Sequence, residues 1–228
     1  MSNLPPLIRF FPMIEDQLEP NLEVIPAGTE LWRVHKSTYR PVQFNPTLAD
    51  IHLRGGRFEG TVLDPYRSLY VADTALTAVA ESVLRSVPFP RTGTRRIPYA
   101  LVHGRALSVL RTTRELTLVS LIEEKDLAAV HQTADLLDDE RSYPMARRWT
   151  SEIRAQAPGA MGLVWQSRRN RPGHAMVLFH DRFEDCHCGA LEVLPERGIA
   201  DLGSPAGTDE LDRLLGPLRA EVSKPVRR

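Results

Sequence analysis

Three side chains between Gly55 and Arg85 are of kinds that bind or transform ligands: Arg57, directly after two glycines, Tyr70 in an apolar run, and Glu81 in a periodic one. Taken singly, each has an ordinary reading. Arg57 reads as a turn arginine, Tyr70 as a packed strand tyrosine with a bonded hydroxyl, and Glu81 as a solvated helix glutamate. The same holds for Arg33, which alternates with apolar strand neighbours, and for Ser167 at a strand end. Familiar motifs do not help. Gly55–Gly60 is neither a Walker loop nor a dinucleotide fingerprint, because no Lys-Ser/Thr follows and no strand–glycine–helix frame surrounds it. Gly-x-Ser-x-Gly is absent, and the seven histidines are scattered without a His-Glu-x-x-His pair. No metal ligand is named.

These residues need elements to hold them. Ser68–Asp73 has the β-favouring side chains of a strand, and Asp73 or Thr74 can cap the helix that follows. In that helix Leu76, Val79, Ala80, Val83 and Leu84 repeat at i, i+3, i+4, i+7 and i+8, which buries one face. At about 100° per residue, Glu81 points away from that stripe. Glu30–His35 reads as the first strand. Leu163–Gln166 and Ala175–Phe179 read as strands about a basic turn, Arg168–Gly173. Tyr99–Val102, Ala106–Leu110 and Ala190–Leu194 read as further strands, and Arg91–Arg96 as an exposed basic connector. Glu123–Leu137, Ser142–Ala157 and Asp209–Val222 read as helices, while 45–54 is a loop or short helix. This mixture has no regular βαβ alternation, so the expected class is α+β.

In order, Leu31-Trp32-Arg33, Gly55-Gly56-Arg57-Phe58, Leu69-Tyr70-Val71-Ala72, Ala80-Glu81 and Trp165-Gln166-Ser167 resemble the RES-domain proteins, over roughly Thr29 to Leu194. Those are toxins of bacterial toxin–antitoxin pairs that consume NAD, with a core similar to ADP-ribosyltransferases. The resemblance implies one domain with a mixed, mostly antiparallel central sheet flanked by helices. It implies that Glu81 stabilises the cationic ribose centre, that Arg57 and Arg33 hold the pyrophosphate, that Tyr70 stacks on nicotinamide or ribose, and that Ser167 bonds that same end. Arg54, Arg168 and Arg169 leave room for an inorganic phosphate co-substrate. NAD is then a substrate, and no separate cofactor is expected. Hydrolysis, phosphorolysis, ADP-ribosyl transfer to a protein and non-catalytic binding all stay open. Two departures stand out: Phe58 replaces a common tryptophan, and the Arg57–Tyr70 spacer, with Asp64-Pro65, is longer than usual.

The 228 residues, 42% hydrophobic and 25% charged, are enough for one sizeable core. The expected division is an N-terminal arm at 1–28, a catalytic domain at 29–196 and an extension at 197–228. Leu7–Phe11 or Leu22–Ile25 in the arm could dock or extend a sheet. Twenty-nine basic residues balance twenty-nine acidic ones, leaving no global field for nucleic acid or membrane. Neither a signal peptide nor a spanning run is seen, and Cys186 and Cys188 form no disulfide framework, so a reducing cytoplasm is expected. The resemblance adds an Xre-type DNA-binding antitoxin as partner. Self-association stays open.

Overall fold

A computed structural model describes residues 17–53, 55–91, 93–138, 142–183 and 189–223. The chain runs through β1 (Leu22–Ile25), β2 (Glu30–Lys36), β3 (Ser68–Ala72), α1 (Ala75–Val83), β4 (Arg95–Ile97), β5 (Arg105–Thr112) and β6 (Leu116–Leu121). Then follow α2 (Glu124–Ala129), α3 (Asp135–Asp138), α4 (Tyr143–Gln156), β7 (Gly162–Gln166), β8 (His174–Phe179), β9 (Leu191–Ile199), α5 (Pro205–Leu215) and β10 (Ala220–Val222). Eight strands form one sheet in the order β1-β6-β7-β8-β3-β2-β5-β9, and β10 pairs with β4 separately. Within the large sheet only β6 and β7 run parallel; the other neighbours are antiparallel. This is the expected mixed α+β architecture.

The strand pleat sorts side chains between the two faces. Leu69 and Val71 of β3 join Leu31, Leu110, Val164, Met176 and Leu178 on one side. Tyr70 and Ala72 point the other way, but into two different clusters. Tyr70 packs with Trp165, Phe58, Val177 and α4, while Ala72 packs with α1 and α5. The helical layer is therefore divided into two blocks over one sheet face. Each fully buried leucine in these clusters contributes about 1.5–3 kcal/mol of apolar transfer.

Several sequence expectations change. Tyr99–Leu101 is a 3-10 turn rather than a strand: Pro98 precedes it, and the Tyr99 carbonyl accepts from the amides of Val102 and His103. The helix expected over Glu123–Leu137 breaks into α2 and α3, because His131 takes a left-handed φ of 54°. Residues 45–53 contain no helix; Asp50 Oδ1 instead accepts from the amides of His52 and Leu53. Arg95 is not in an exposed connector but buried in β4. Leu116–Leu121 enters no predicted element, yet supplies β6 near the sheet edge. The last helix starts earlier, at Pro205, with the Ser204 hydroxyl accepting from the Gly207 amide. It ends before Gly216 and Pro217, which lets β10 follow as a strand.

Leu22–Ile25 does extend the sheet, as its β1 edge; Leu7–Phe11 lies outside the described residues. At the other end, Leu211, Leu215, Ala220 and Val222 share a core with Val79, Val83 and Leu84 of α1. Among the described residues, no helix is long and apolar enough to cross a membrane.

Candidate active site

β2 and β3 are neighbours, but among the described residues they pair only at Trp32 and Ala72. Beyond that point the strands part. A cleft of about 420 Å³ opens at the split and reaches up between the two helical blocks. Both strands line it, through Trp32–Val34 and Tyr70–Ala72, so backbone groups that a ladder would have consumed are left for a ligand.

The glycine-framed loop forms one wall. Gly55 has φ +120°, and a Cβ there would lie 2.5 Å from Ala49 Cβ, so only glycine fits. Glu59 closes the turn by accepting from the Gly56 amide at 2.7 Å. The Tyr70 hydroxyl accepts from the Phe58 amide at 3.0 Å, and Arg147 Nη1 donates to the Gly56 carbonyl at 3.1 Å. Phe58 is buried edge-on to Trp165, their centroids 4.8 Å apart, so the smaller aromatic still anchors the loop. The longer spacer is tied down too. Arg154 donates to Asp64 and to both carboxylate oxygens of Asp181, and lies over the Tyr66 ring. Burial, followed by the charge of Glu59, pushes the Tyr70 phenol well above its usual pKa and keeps it neutral.

Glu81 stands on the opposite wall, from α1. The Ser167 hydroxyl donates to Glu81 Oε1 at 2.5 Å. That same oxygen of Ser167 accepts from the amides of Arg169 (3.2 Å) and Asn170 (3.0 Å), which directs its proton at the carboxylate. Asn170 Nδ2 in turn donates to Thr77 Oγ1 at 3.0 Å. The turn after β7 thus covers the side of α1 that periodicity leaves to solvent.

Among the described residues, Arg33, Arg57, Arg85, Arg105, Arg168 and Arg169 line the cleft, against two carboxylates, Glu59 and Glu81. A chain with no net charge has therefore concentrated positive charge here. Arg57 lies 5.2 Å from the Tyr143 ring centroid and Arg85 lies 4.5 Å from it, so one aromatic ring holds two guanidinium groups. Arg57 Nε is buried without a hydrogen-bond partner. Burial lowers the Arg105 pKa, while its charge persists at neutral pH.

Of the predicted residues, Arg57, Tyr70 and Glu81 meet in the cleft, with Ser167 buried behind Glu81. Arg33 differs. It leaves β2 on the face opposite Trp32 and Val34 and is buried, with Nη1 donating to the Pro41 carbonyl; it flanks the cleft at the strand split. Arg168 and Arg169 line the cleft as the sequence suggested, while Arg54 is outside the described residues. Arg85, Arg105, Tyr143 and the loop-closing Glu59 were not singled out as site residues. Arg85 alone had a sequence signal, since it lies one helical turn beyond Glu81. Among the described residues no cluster could hold a metal ion; Cys186, His187 and Cys188 lie outside them.

With this geometry in hand, comparison with known proteins defines the class. Residues 30–206 match the model of the RES domain, and the chain belongs to that family. Among solved structures it is similar to a chain of the M. tuberculosis MbcT–MbcA toxin–antitoxin complex, with a TM-score of 0.55 and 16% identity. That match covers 83% of this chain and 92% of the other. No curated protein sequence matches it.

Proposed function

We propose that this protein is a toxin-type enzyme that degrades NAD by cleaving the bond between nicotinamide and ribose. One observation carries the reading: a carboxylate oriented by a buried serine faces a cluster of arginines in a cleft at a sheet split. A dinucleotide presents complementary chemistry, an anionic pyrophosphate joined to a ribose on which positive charge develops. Guanidinium forks suit the first, and a fixed carboxylate suits the second.

In this reading Arg57, with Arg33 at the split, holds the pyrophosphate. The Tyr70 ring forms a wall for the nicotinamide ribose. As the C1′–N bond breaks, its electron pair goes to the nicotinamide nitrogen and cancels the pyridinium charge. The ribose carbon becomes oxocarbenium-like, and Glu81, held by Ser167, stabilises it. Water or inorganic phosphate then adds through oxygen, and the proton of water is released with ADP-ribose. Phosphate gives ADP-ribose 1″-phosphate. Most of the acceleration comes from placing charges before the bond breaks, so little rearrangement is needed.

Membership of the RES family and likeness to a toxin–antitoxin complex support a toxin role. The expected partner is an Xre-type antitoxin covering the cleft, in the cytoplasm where NAD is consumed. The test is NAD loss by the purified protein with and without phosphate, products resolved by mass. Loss requiring phosphate identifies a phosphorylase, and loss without it a glycohydrolase. Label moving from NAD onto protein would replace both with protein ADP-ribosylation. NAD left intact, or full consumption by Glu81→Gln, would sink the reading.

A further inference from the structure

Side chains from elsewhere in the chain grip the backbone of the glycine-framed loop. Glu59 accepts from the Gly56 amide at 2.7 Å, and the Tyr70 hydroxyl accepts from the Phe58 amide at 3.0 Å. Tyr66 donates to the Phe58 carbonyl at 3.2 Å, and Arg147 Nη1 donates to the Gly56 carbonyl at 3.1 Å. Between these fixed points the Arg57 amide has no acceptor among the described residues.

A trans peptide is planar, so its carbonyl and its amide hydrogen point in opposite directions. The Gly56–Arg57 bond is trans. Its carbonyl is drawn to Arg147, which is 2% exposed and stands outside the cleft lining. Its amide therefore points away from Arg147. Gly56 has no side chain to screen that amide, and a Cβ there would lie 3.0 Å from the Tyr70 hydroxyl.

Arg147 is a costly way to hold one carbonyl. Its Nε and Nη2 are buried with no hydrogen-bond partner among the described residues. Burial lowers its pKa, against the charges of Glu59 and Asp50, though the group stays protonated at neutral pH. An apolar side chain of similar volume is often as stable in such a place. The contact has a geometric use instead.

We infer that Arg147 is a positioning residue: it turns the Gly56–Arg57 peptide so that the Arg57 amide faces the cleft and, with the guanidinium of the same residue, clamps one anionic group. A backbone amide adds a directional donor that stays in place when side chains move. The identity of the anion, a pyrophosphate, rests on the NAD reading above; the donor follows from the loop geometry alone.

The experiment follows the Arg57 amide proton by NMR in the full chain carrying Glu81→Gln, so that no turnover interferes. NAD and inorganic pyrophosphate are titrated in turn, and Arg147→Met is then added. With either ligand the proton should move downfield, as an amide proton does on donating to an anion. In Arg147→Met that response should vanish and affinity should fall about tenfold, the weight of one hydrogen bond to a charged group, while the thermal midpoint stays level or rises. An unresponsive Arg57 amide beside NAD binding, or a response or an affinity that survives unchanged in Arg147→Met, would overturn the inference and leave the NAD reading intact. Should Arg147→Met not fold, Arg147→Leu takes its place under the same criteria. Failure of both to fold would make Arg147 a structural residue and overturn its positioning role. A response to pyrophosphate without any binding of NAD would instead overturn the NAD reading and leave the clamp standing. No response to either ligand, with neither bound, would overturn both.

Discussion

The two long faces of α1 are built from the same nine residues and obey different rules. On one face Val79, Ala80 and Val83, with Leu84 at the C-cap, are buried against α5 and the β4–β10 pair. That contact needs only apolar volume at helical spacing, since burial is non-directional. On the other face stand Thr77 and Glu81, flanked by Thr74 at the cap and Arg85 beyond the helix end. Thr77, Glu81 and Arg85 are each met by a group distant in sequence. Asn170 donates to Thr77 and Ser167 to Glu81, while Arg169 donates to the Arg85 carbonyl and Tyr143 lies beneath the Arg85 guanidinium. Polar contacts need a particular atom at a particular distance and angle. One face tolerates approximation; the other does not.

Substitutions can separate the two faces. Glu81→Gln should have the largest effect on chemistry, lowering NAD turnover by about 10³-fold, or about 4 kcal/mol of barrier. Its thermal midpoint should stay near that of the unmodified protein. A matching loss of stability would show that the polar face is structural first. Next comes Leu84→Ala on the apolar face, which should lose about 3 kcal/mol of folding stability in urea titration, as buried leucine truncations do. Turnover by the fraction still folded should be unchanged. A clear fall in that activity would mean that the two faces are coupled.

Ser167→Ala should lower kcat about tenfold with KM little changed, because Ser167 orients a carboxylate and does not line the cleft. Loss of the acceptor for two amides should also remove about 1 kcal/mol of stability. A change in KM alone would place Ser167 against the substrate instead. Smallest is Thr74→Ala. Its hydroxyl accepts from the Thr77 amide at 3.1 Å, so removing it should lower stability by about 1 kcal/mol and leave turnover intact. Equal turnover loss in Thr74→Ala and Ser167→Ala would mean that the whole polar face acts as one unit.

Much of the fold could be read locally. The strands at Glu30–Lys36, Ser68–Ala72, Gly162–Gln166 and His174–Phe179 follow their β-favouring side chains, and α1 follows its stripe. The failures have specific causes. His131 breaks a periodic run through one left-handed residue, and Pro98 starts a tight turn where an apolar run suggested a strand. Arg95 looked exposed because a basic run normally is; pairing with β10 buries it. That pairing joins segments far apart in the chain, and no local pattern encodes it.

For the candidate site, the resemblance of ordered short motifs to the RES family nominated Arg33, Arg57, Tyr70, Glu81 and Ser167, while Glu81's own spacing argued against it. What the amino-acid sequence determined by itself is most of the elements, because backbone preference and apolar periodicity act over a few neighbouring residues. The tertiary structure alone decided that β2 and β3 part beyond Trp32, that the turn after β7 folds over α1, and that arginines from separate segments face one cleft. Those are long-range, directional contacts, and their geometry exists only once the sheet has assembled.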